Sequence, residues 1–251
     1  MTDKPTYSTV NLFIPCAMDM FSPSIPDSII LVLQRLGYQV VYNPESTCCG
    51  RRFFMEGALD CAKALAEKLF NDYDPQYPII IPSTACASFI RNHYRKLIEN
   101  TAVPGRLKQF TGHVYELCDF IVNVHGVSNL GNKFSQRVFY YESCSAKNSN
   151  QPGNAPKVLL ENTEGIDMLE NTLGDCCCTA NGSFAMQNPA ISDKILSEMV
   201  NTIYKTGAQC VTSTDIHCLQ YIDSMIQANG GGIEVIHIAD ILVGEDEEQN
   251  V

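Results

Sequence analysis

The sequence predicts an α/β fold made of two tandem halves, each with a parallel sheet, related by internal duplication. Three observations predict it. Short apolar runs bounded by turn residues alternate with longer segments of helical periodicity, the pattern of parallel strands joined by right-handed helical crossovers. The cysteine-bearing segments recur in order: "NLFIPCAMD", "STCCGRRFF" and "PIIIPSTACASFI", then "VFYYESCSA", "GDCCCTANGSF" and "QCVTSTDIHCLQYI". Their spacings match as well. Cys16 to Cys48 and Cys144 to Cys176 are both 32 positions (48 − 16; 176 − 144), and Cys49 to Cys86 and Cys178 to Cys218 are 37 and 40 (86 − 49; 218 − 178). Each half also closes on a related ending, "HVYELCDFIVNV" and "EVIHIADILVG". A duplicated module explains all three.

The elements follow in order. Segment 9–14 ("TVNLFI") reads as the first strand, and 22–37 ("SPSIPDSIILVLQRLG") as a helix opened by Ser and Pro and stopped at Gly37. Strand 39–43 ("QVVYN") precedes a helix at 55–73, rich in good helix formers; strand 77–83 ("YPIIIPS") precedes the helix "CASFIRNHYRKLI". The polar, glycine-bearing stretch 125–136 is read as a linker between a first repeat, 1–124, and a second, 137–244. In the second repeat, strands are expected near 137–141, 209–213 and 233–237, and a helix at 188–207 closed by Gly207; 245–251 is a short acidic tail.

Bulk properties narrow the function. The formal charge is −11 and the pI near 4.8, which disfavours a nucleic-acid partner. There is no signal-type N-terminus and no apolar run of about 18 residues, so a cytoplasmic chain without a transmembrane segment is expected. In a reducing compartment, twelve cysteines point to metal or redox chemistry rather than disulfides.

In a parallel sheet the carboxyl ends of all strands share one edge, where ligands bind. Cys16, the Cys48–Cys49 doublet and Cys86 each follow a strand, so they should converge there. Cys144, two of Cys176, Cys177 and Cys178, and Cys218 should converge in the other half. Clustered soft thiolates select zinc, copper(I) or iron–sulfur. Adjacent cysteines fit one tetrahedral ion poorly and an iron–sulfur cluster better, since each sulfur can hold a different iron; zinc sites favour Cys-x₂₋₄-Cys spacing. Gly50 is expected to let backbone pass close to the bound group.

The duplicated Cys…Cys-Cys-Gly…Cys pattern resembles the cysteine-rich CCG domain found in heterodisulfide reductase. It is more similar to the lactate utilization protein A family, through "PCAMDMFSP", "TCCGRRFFMEG", "PSTACASFIRNHY", "FAMQNPAIS" and "IHIADIL", over about residues 9–243. The resemblance implies two Rossmann-like halves, one or two [4Fe–4S]-type clusters per chain, and an oxidoreductase component of a complex that oxidises L-lactate to pyruvate beside other iron–sulfur subunits. A small hydroxy acid is the implied substrate class. Where heterodisulfide reductase has the earlier cysteine of a Cys-x-x-Cys, this chain has Ser83 and Asp215, candidate oxygen ligands. That departure points to electron relay rather than disulfide chemistry. At "DCCCTANGSF", alignment from Asp175 makes Cys176 and Cys177 the pair, and alignment back from "GSFAMQNPAIS" makes it Cys177 and Cys178; both stay open here.

Cys61, Cys118 and Cys210 are expected in the core, and His93 on a solvated helix face. His217 could tune a cluster, or simply pack. Arg51 and Arg52 could balance cluster charge or meet an anion. Asp119 and Asp240 are expected as helix N-caps. No dinucleotide or nucleoside-triphosphate motif is present. Two other readings compete: a zinc-stabilised interaction protein, and a metal-free thiol–disulfide oxidoreductase, which the lack of Cys-x-x-Cys disfavours.

Overall fold

Strand β1 (Thr9–Leu12) leads through α1 (Cys16–Phe21) and α2 (Ile25–Arg35) to β2 (Gln39–Tyr42). Helices α3 (Arg51–Met55) and α4 (Leu59–Asp72) return the chain to β3 (Ile79–Ile81), and α5 (Thr84–Ile98) and α6 (Pro104–Gly112) bring it to β4 (Val114–Glu116). Helix α7 (Leu117–Asp119) runs on into a π-helix, Phe120–His125. The second half repeats the scheme: β5 (Arg137–Tyr140), α8 (Cys144–Ser149), α9 (Ala155–Glu161), β6 (Asp167–Met168), α10 (Ser183–Gln187), α11 (Pro189–Thr206), β7 (Cys210–Ser213), α12 (Ile216–Ala228), β8 (Glu234–His237) and α13 (Ile238–Val243). The computed structural model describes residues 7–149, 152–179 and 183–244. The acidic tail expected at 245–251 lies outside them.

Both sheets are wholly parallel and share one topology, β2-β1-β3-β4 and β6-β5-β7-β8. The halves are Rossmann-like. The chain steps from β1 to β2 on one side and then crosses to β3 on the other, and this reversal of strand order opens a crevice at the carboxyl edge.

Strand periodicity explains how the halves fit together. Leu12, Ile80, Val138 and Tyr140 enter a core shared by both halves, which also takes Ile29, Leu117, Ile121, Leu159 and Ile241. Their strand neighbours face the other way. Phe13, Ile79 and Ile81 join an outer core with Leu69, Ile90 and Phe110; Phe139 and Val211 join one with Val200, Leu219 and Ile222. Each inner strand is therefore covered on both faces, which is why it reads as a continuous apolar run. In the shared layer α2 packs on α13, and α7 and the π-helix on α9.

The structure revises several expectations. The expected strand 9–14 stops at Leu12, and the expected helix at 22–37 spans only Ile25–Arg35. The expected helix at 55–73 spans only Leu59–Asp72; Met55 ends the preceding helix α3, and Gly57, whose φ is +79°, lies between the two. Two edge strands were not foreseen: β4, hidden in the apolar ending "HVYE", and the two-residue β6. Short edge strands carry too little pattern to stand out. Residues 126–136 bury Asn132 and Phe134; Asn132 Nδ2 donates to Ile241 O (2.8 Å) and Phe134 N to Glu164 O (2.8 Å).

Candidate metal centres

In the first half, Cys16 opens α1 just past β1, Cys48 and Cys49 form the loop before α3, and Cys86 lies in the first turn of α5. Their sulfurs form a chain of contacts. Cys16 hydrogen-bonds Cys48, Cys48 hydrogen-bonds Cys49, and Cys49 Sγ is 3.4 Å from Cys86 Sγ. The second half has the same chain: Cys144 and Cys177 Sγ are 3.7 Å apart, Cys177 hydrogen-bonds Cys178, and Cys178 Sγ is 2.7 Å from Cys218 Sγ. All twelve cysteines are free thiols.

Local folding explains how the doublets are held. Gly50 adopts φ +85°, and its N–H points at Cys48 Sγ (3.4 Å). A Cβ on Gly50 would sit 3.0 Å from Ala62 O of α4. On the protein side, the space Gly50 leaves is occupied by helix α4. Tyr94, fully buried, donates to Cys49 O (2.8 Å) and pins the loop. In the second half Thr179 occupies the equivalent place. Its φ is +58°, the one positive value at a non-glycine among the described residues, and its N–H points at Cys177 Sγ (3.4 Å). Such a conformation costs a β-branched residue about 1–3 kcal/mol. Hydrogen bonds of Thr179 Oγ1 to Cys178 O (2.7 Å) and to Ser192 Oγ help hold it. Tyr141 Oη accepts from Cys178 N (2.8 Å) and donates to Cys176 O (3.1 Å).

The geometric counterpart of Cys48–Cys49–Gly50 is therefore Cys177–Cys178–Thr179. Cys176 stands beside the chain of four sulfurs; its Sγ lies 4.0 Å from Cys177 O.

Hydrogen bonding sets the charge of each site. Cys48 is held down to about 2, first by hydrogen bonds from Cys16 and Cys49, with the Gly50 N–H assisting against burial. Cys177 is likewise held down to about 2, first by Cys144 and Cys178, then by Thr179 N–H. Their partners move the other way: Cys16 is pushed up by its bond to Cys48 and by burial, and Cys144 by its bond to Cys177 and by burial. Within each chain of sulfurs, negative charge is thus favoured on the member that receives these bonds, Cys48 in the first half and Cys177 in the second. The two sites also reach across the seam between the halves. His217, next to Cys218, acts on Cys48, and Arg51, next to Gly50, acts on Cys218.

Ser83 and Asp215, the candidate oxygen ligands, meet at that seam. Ser83 Oγ donates to Asp215 Oδ1 (3.0 Å), as does Ala85 N (3.1 Å), and Ser143 Oγ donates to Oδ2 (2.5 Å). Both carboxylate oxygens are already engaged. Beside them Thr84 Oγ1 and Thr214 Oγ1 are 2.7 Å apart.

Other candidates are redistributed. Cys118 and Cys210 are buried, but Cys61 is exposed on α4. His93 is half-buried rather than solvated, stacked on Phe89 with ring centroids 5.3 Å apart. The caps expected of Asp119 and Asp240 are made by Glu116 and His237. Glu116 Oε2 accepts from Cys118 N (2.8 Å) and Asp119 N (3.2 Å), and His237 Nδ1 from Ala239 N (3.2 Å). The signal was present: the two residues end the last strand of their halves, in register with Ile81 and Ser213. Ser143 and the two tyrosines carried no such signal.

Among the described residues, no three His, Cys, Asp or Glu side chains surround a single metal-ion position. The donors run in a line of four sulfurs. Buried and half-buried thiols drawn together from three chain segments, one of them in each half favoured as thiolate, fit a thiophilic inorganic group by their chemistry.

Comparison with known proteins agrees with this arrangement. The CCG cysteine-rich domain matches residues 10–91 and again 138–223. Lactate utilization protein A of Shouchella clausii is 30% identical over 233 residues, covering 93% of this chain and 98% of that protein. Lactate utilization protein A 2 of Bacillus cereus is 28% identical over 234 residues, covering 93% and 97%. A crystal structure of a hypothetical protein from Helicobacter pylori superposes with a TM-score of 0.65 at 13% identity; it covers 99% of this chain and 52% of that one, a likeness of fold alone. With both halves matched to one domain and near full-length similarity to these relatives, the chain belongs to the lactate utilization protein A family of CCG cysteine-rich proteins.

Proposed function

We propose that this protein is an iron–sulfur electron-transfer subunit of a cytoplasmic system that oxidises L-lactate to pyruvate, working beside other iron–sulfur subunits. The observation that carries the reading is the repeated line of four sulfurs, Cys16–Cys48–Cys49–Cys86 and Cys144–Cys177–Cys178–Cys218, in a chain whose relatives are named for lactate utilization. These eight residues would hold a [4Fe–4S]-type cluster in each half. When bound, such a cluster supplies reversible one-electron acceptance.

The chain's own residues prepare for that group. Hydrogen bonds from their neighbours favour the thiolate form of Cys48 and Cys177, the form that ligates. The N–H groups of Gly50 and Thr179 stabilise sulfur charge, and Tyr94 and Tyr141 fix the loops. No helix among the described residues is long and apolar enough to cross a membrane. Protein prepared without oxygen and reconstituted should contain iron and acid-labile sulfide, be brown, and bleach with dithionite. A folded protein that takes up zinc but no iron would select the zinc reading instead.

A further inference from the structure

Each line of four sulfurs divides by burial, and the two halves divide alike. The inner pair is the second cysteine of the doublet with the cysteine of the helix beyond the third strand. Cys49 and Cys86 are 3% and 4% exposed, and Cys178 and Cys218 are both 0% exposed. The outer pair is the cysteine after the first strand with the first of the doublet: Cys16 with Cys48, and Cys144 with Cys177. All four are half-buried.

The members of each outer pair already meet. Cys16 hydrogen-bonds Cys48, and Cys144 and Cys177 Sγ are 3.7 Å apart. A disulfide needs sulfurs about 2.05 Å apart, carried on Cα atoms about 4.4–6.8 Å apart. The outer partners come from separate chain segments, 32 and 33 positions apart (48 − 16; 177 − 144), so nothing in the chain forbids that spacing. Sequence neighbours meet it poorly, because consecutive Cα atoms are about 3.8 Å apart across a trans peptide. Such a neighbour step separates the outer pair from the inner one in each half, at Cys48–Cys49 and at Cys177–Cys178. A bond made in the outer pair is therefore not handed along the line to the buried sulfurs. The same spacing sets aside Cys176, also half-buried, as a partner for Cys177.

Oxidation follows access as well as contact. A peroxide meets a half-buried outer sulfur before it meets the enclosed ones. It converts that thiol to a sulfenic acid, and its second oxygen leaves as water. The neighbouring thiol then attacks the oxidised sulfur, the S–S bond forms, and a second water leaves with the attacking thiol's proton. Two thiols thus give up two electrons and two protons, and one peroxide becomes two waters.

We propose that a peroxide closes each cluster-free site with a disulfide in its outer pair, Cys16–Cys48 and Cys144–Cys177, and leaves the inner pairs as thiols. The bond ties up two of the four sulfurs in each half, so the site stays shut to iron until a dithiol reductant opens it. The half-buried sulfurs are thereby kept in a recoverable state instead of passing on to sulfinic acid. The shutting-out of iron rests on the proposed iron–sulfur function; the formation of the bond does not.

The test uses the reduced, metal-free, full-length protein. It is treated with hydrogen peroxide without air, unfolded in alkylating reagent, digested and mapped by mass spectrometry. Linked Cys16–Cys48 and Cys144–Cys177 peptides are expected, with Cys49, Cys86, Cys178 and Cys218 alkylated. Dithiothreitol should return the linked residues to thiols. Given ferrous iron and sulfide without reductant, the oxidised protein should take up about tenfold less iron than the reduced protein, and dithiothreitol should restore the uptake. In Cys16→Ser and Cys144→Ser the partner is gone, so Cys48 and Cys177 should pass to sulfinic acid, which dithiothreitol does not reverse. Links within the inner pairs, links between adjacent cysteines, or sulfinic acid without any link in the parent protein would overturn the proposal. So would iron uptake by the linked protein equal to that of the reduced one. If the reduced protein itself takes up no iron, the iron–sulfur function falls, and the peptide map still decides where the bond forms.

Discussion

Gly50→Ala tests whether the doublet loop is shaped by the fold or by the group it would hold. Gly50 sits at φ +85°, and a Cβ there would lie 3.0 Å from Ala62 O and 3.4 Å from Leu65 Cβ. A left-handed backbone costs a non-glycine residue roughly 1–2 kcal/mol, and forcing a methyl group against packed backbone adds about 1–3 kcal/mol. Reduced freedom of the unfolded chain returns about 0.4–1 kcal/mol. The net loss is about 1–5 kcal/mol, or roughly 2–20 °C in Tm at about 2–4 °C per kcal/mol for a chain of this size. Gly37→Ala is the control. Gly37 has φ +89° but nothing within 4 Å of its would-be Cβ, so only the backbone cost applies. Thermal unfolding of the metal-free protein, followed by circular dichroism, should therefore show Gly50→Ala clearly less stable than Gly37→Ala. If the two are equal without metal and diverge only after reconstitution, the Ala62 contact is not what demands the glycine, and the bound group shapes the loop instead.

Further outcomes are expected from single changes. Cys177→Ser or Cys178→Ser should lower iron content by about half per chain, whereas Cys176→Ser and the exposed Cys61→Ser should leave it near the parent value by iron assay; iron loss in Cys176→Ser would reverse the assigned pairing. Tyr94→Phe leaves Cys49 O buried without its donor and should cost about 1–3 kcal/mol in denaturant unfolding. Burial, with Asp119 and Asp215 adding repulsion, pushes Glu116 up to about 8. The folded chain then keeps a proton that the unfolded chain releases above the usual carboxylate range. Stability should accordingly fall as pH rises from about 4.5 through 8, and Glu116→Gln, which keeps the acceptor for Cys118 N, should flatten that dependence in urea titrations at several pH values.

Much of the architecture was legible in one dimension because its causes are local or repeated. Apolar runs such as "PIIIPS" must be buried on both faces, and a repeated order of cysteines after strands implies a shared edge. The edge strands escaped because β4 and β6 are three and two residues long. Asp119 and Asp240 look like caps in sequence, yet Glu116 and His237 hold those positions because the strand ends deliver their side chains to the first free N–H groups.

By itself, the sequence determined the duplicated α/β plan and the strand-following cysteines, properties of period and order along the chain, and it carried the motifs that resemble the family. Tertiary structure alone decided that Cys177 and Cys178 take the places of Cys48 and Cys49, that Thr179 adopts the conformation Gly50 has in the first half, and that Asp215 is enclosed by hydroxyls and an amide from both halves. Those outcomes depend on which atoms meet across the seam, and contacts between residues more than a hundred positions apart, such as Ser83 with Asp215, leave no periodic trace in the chain.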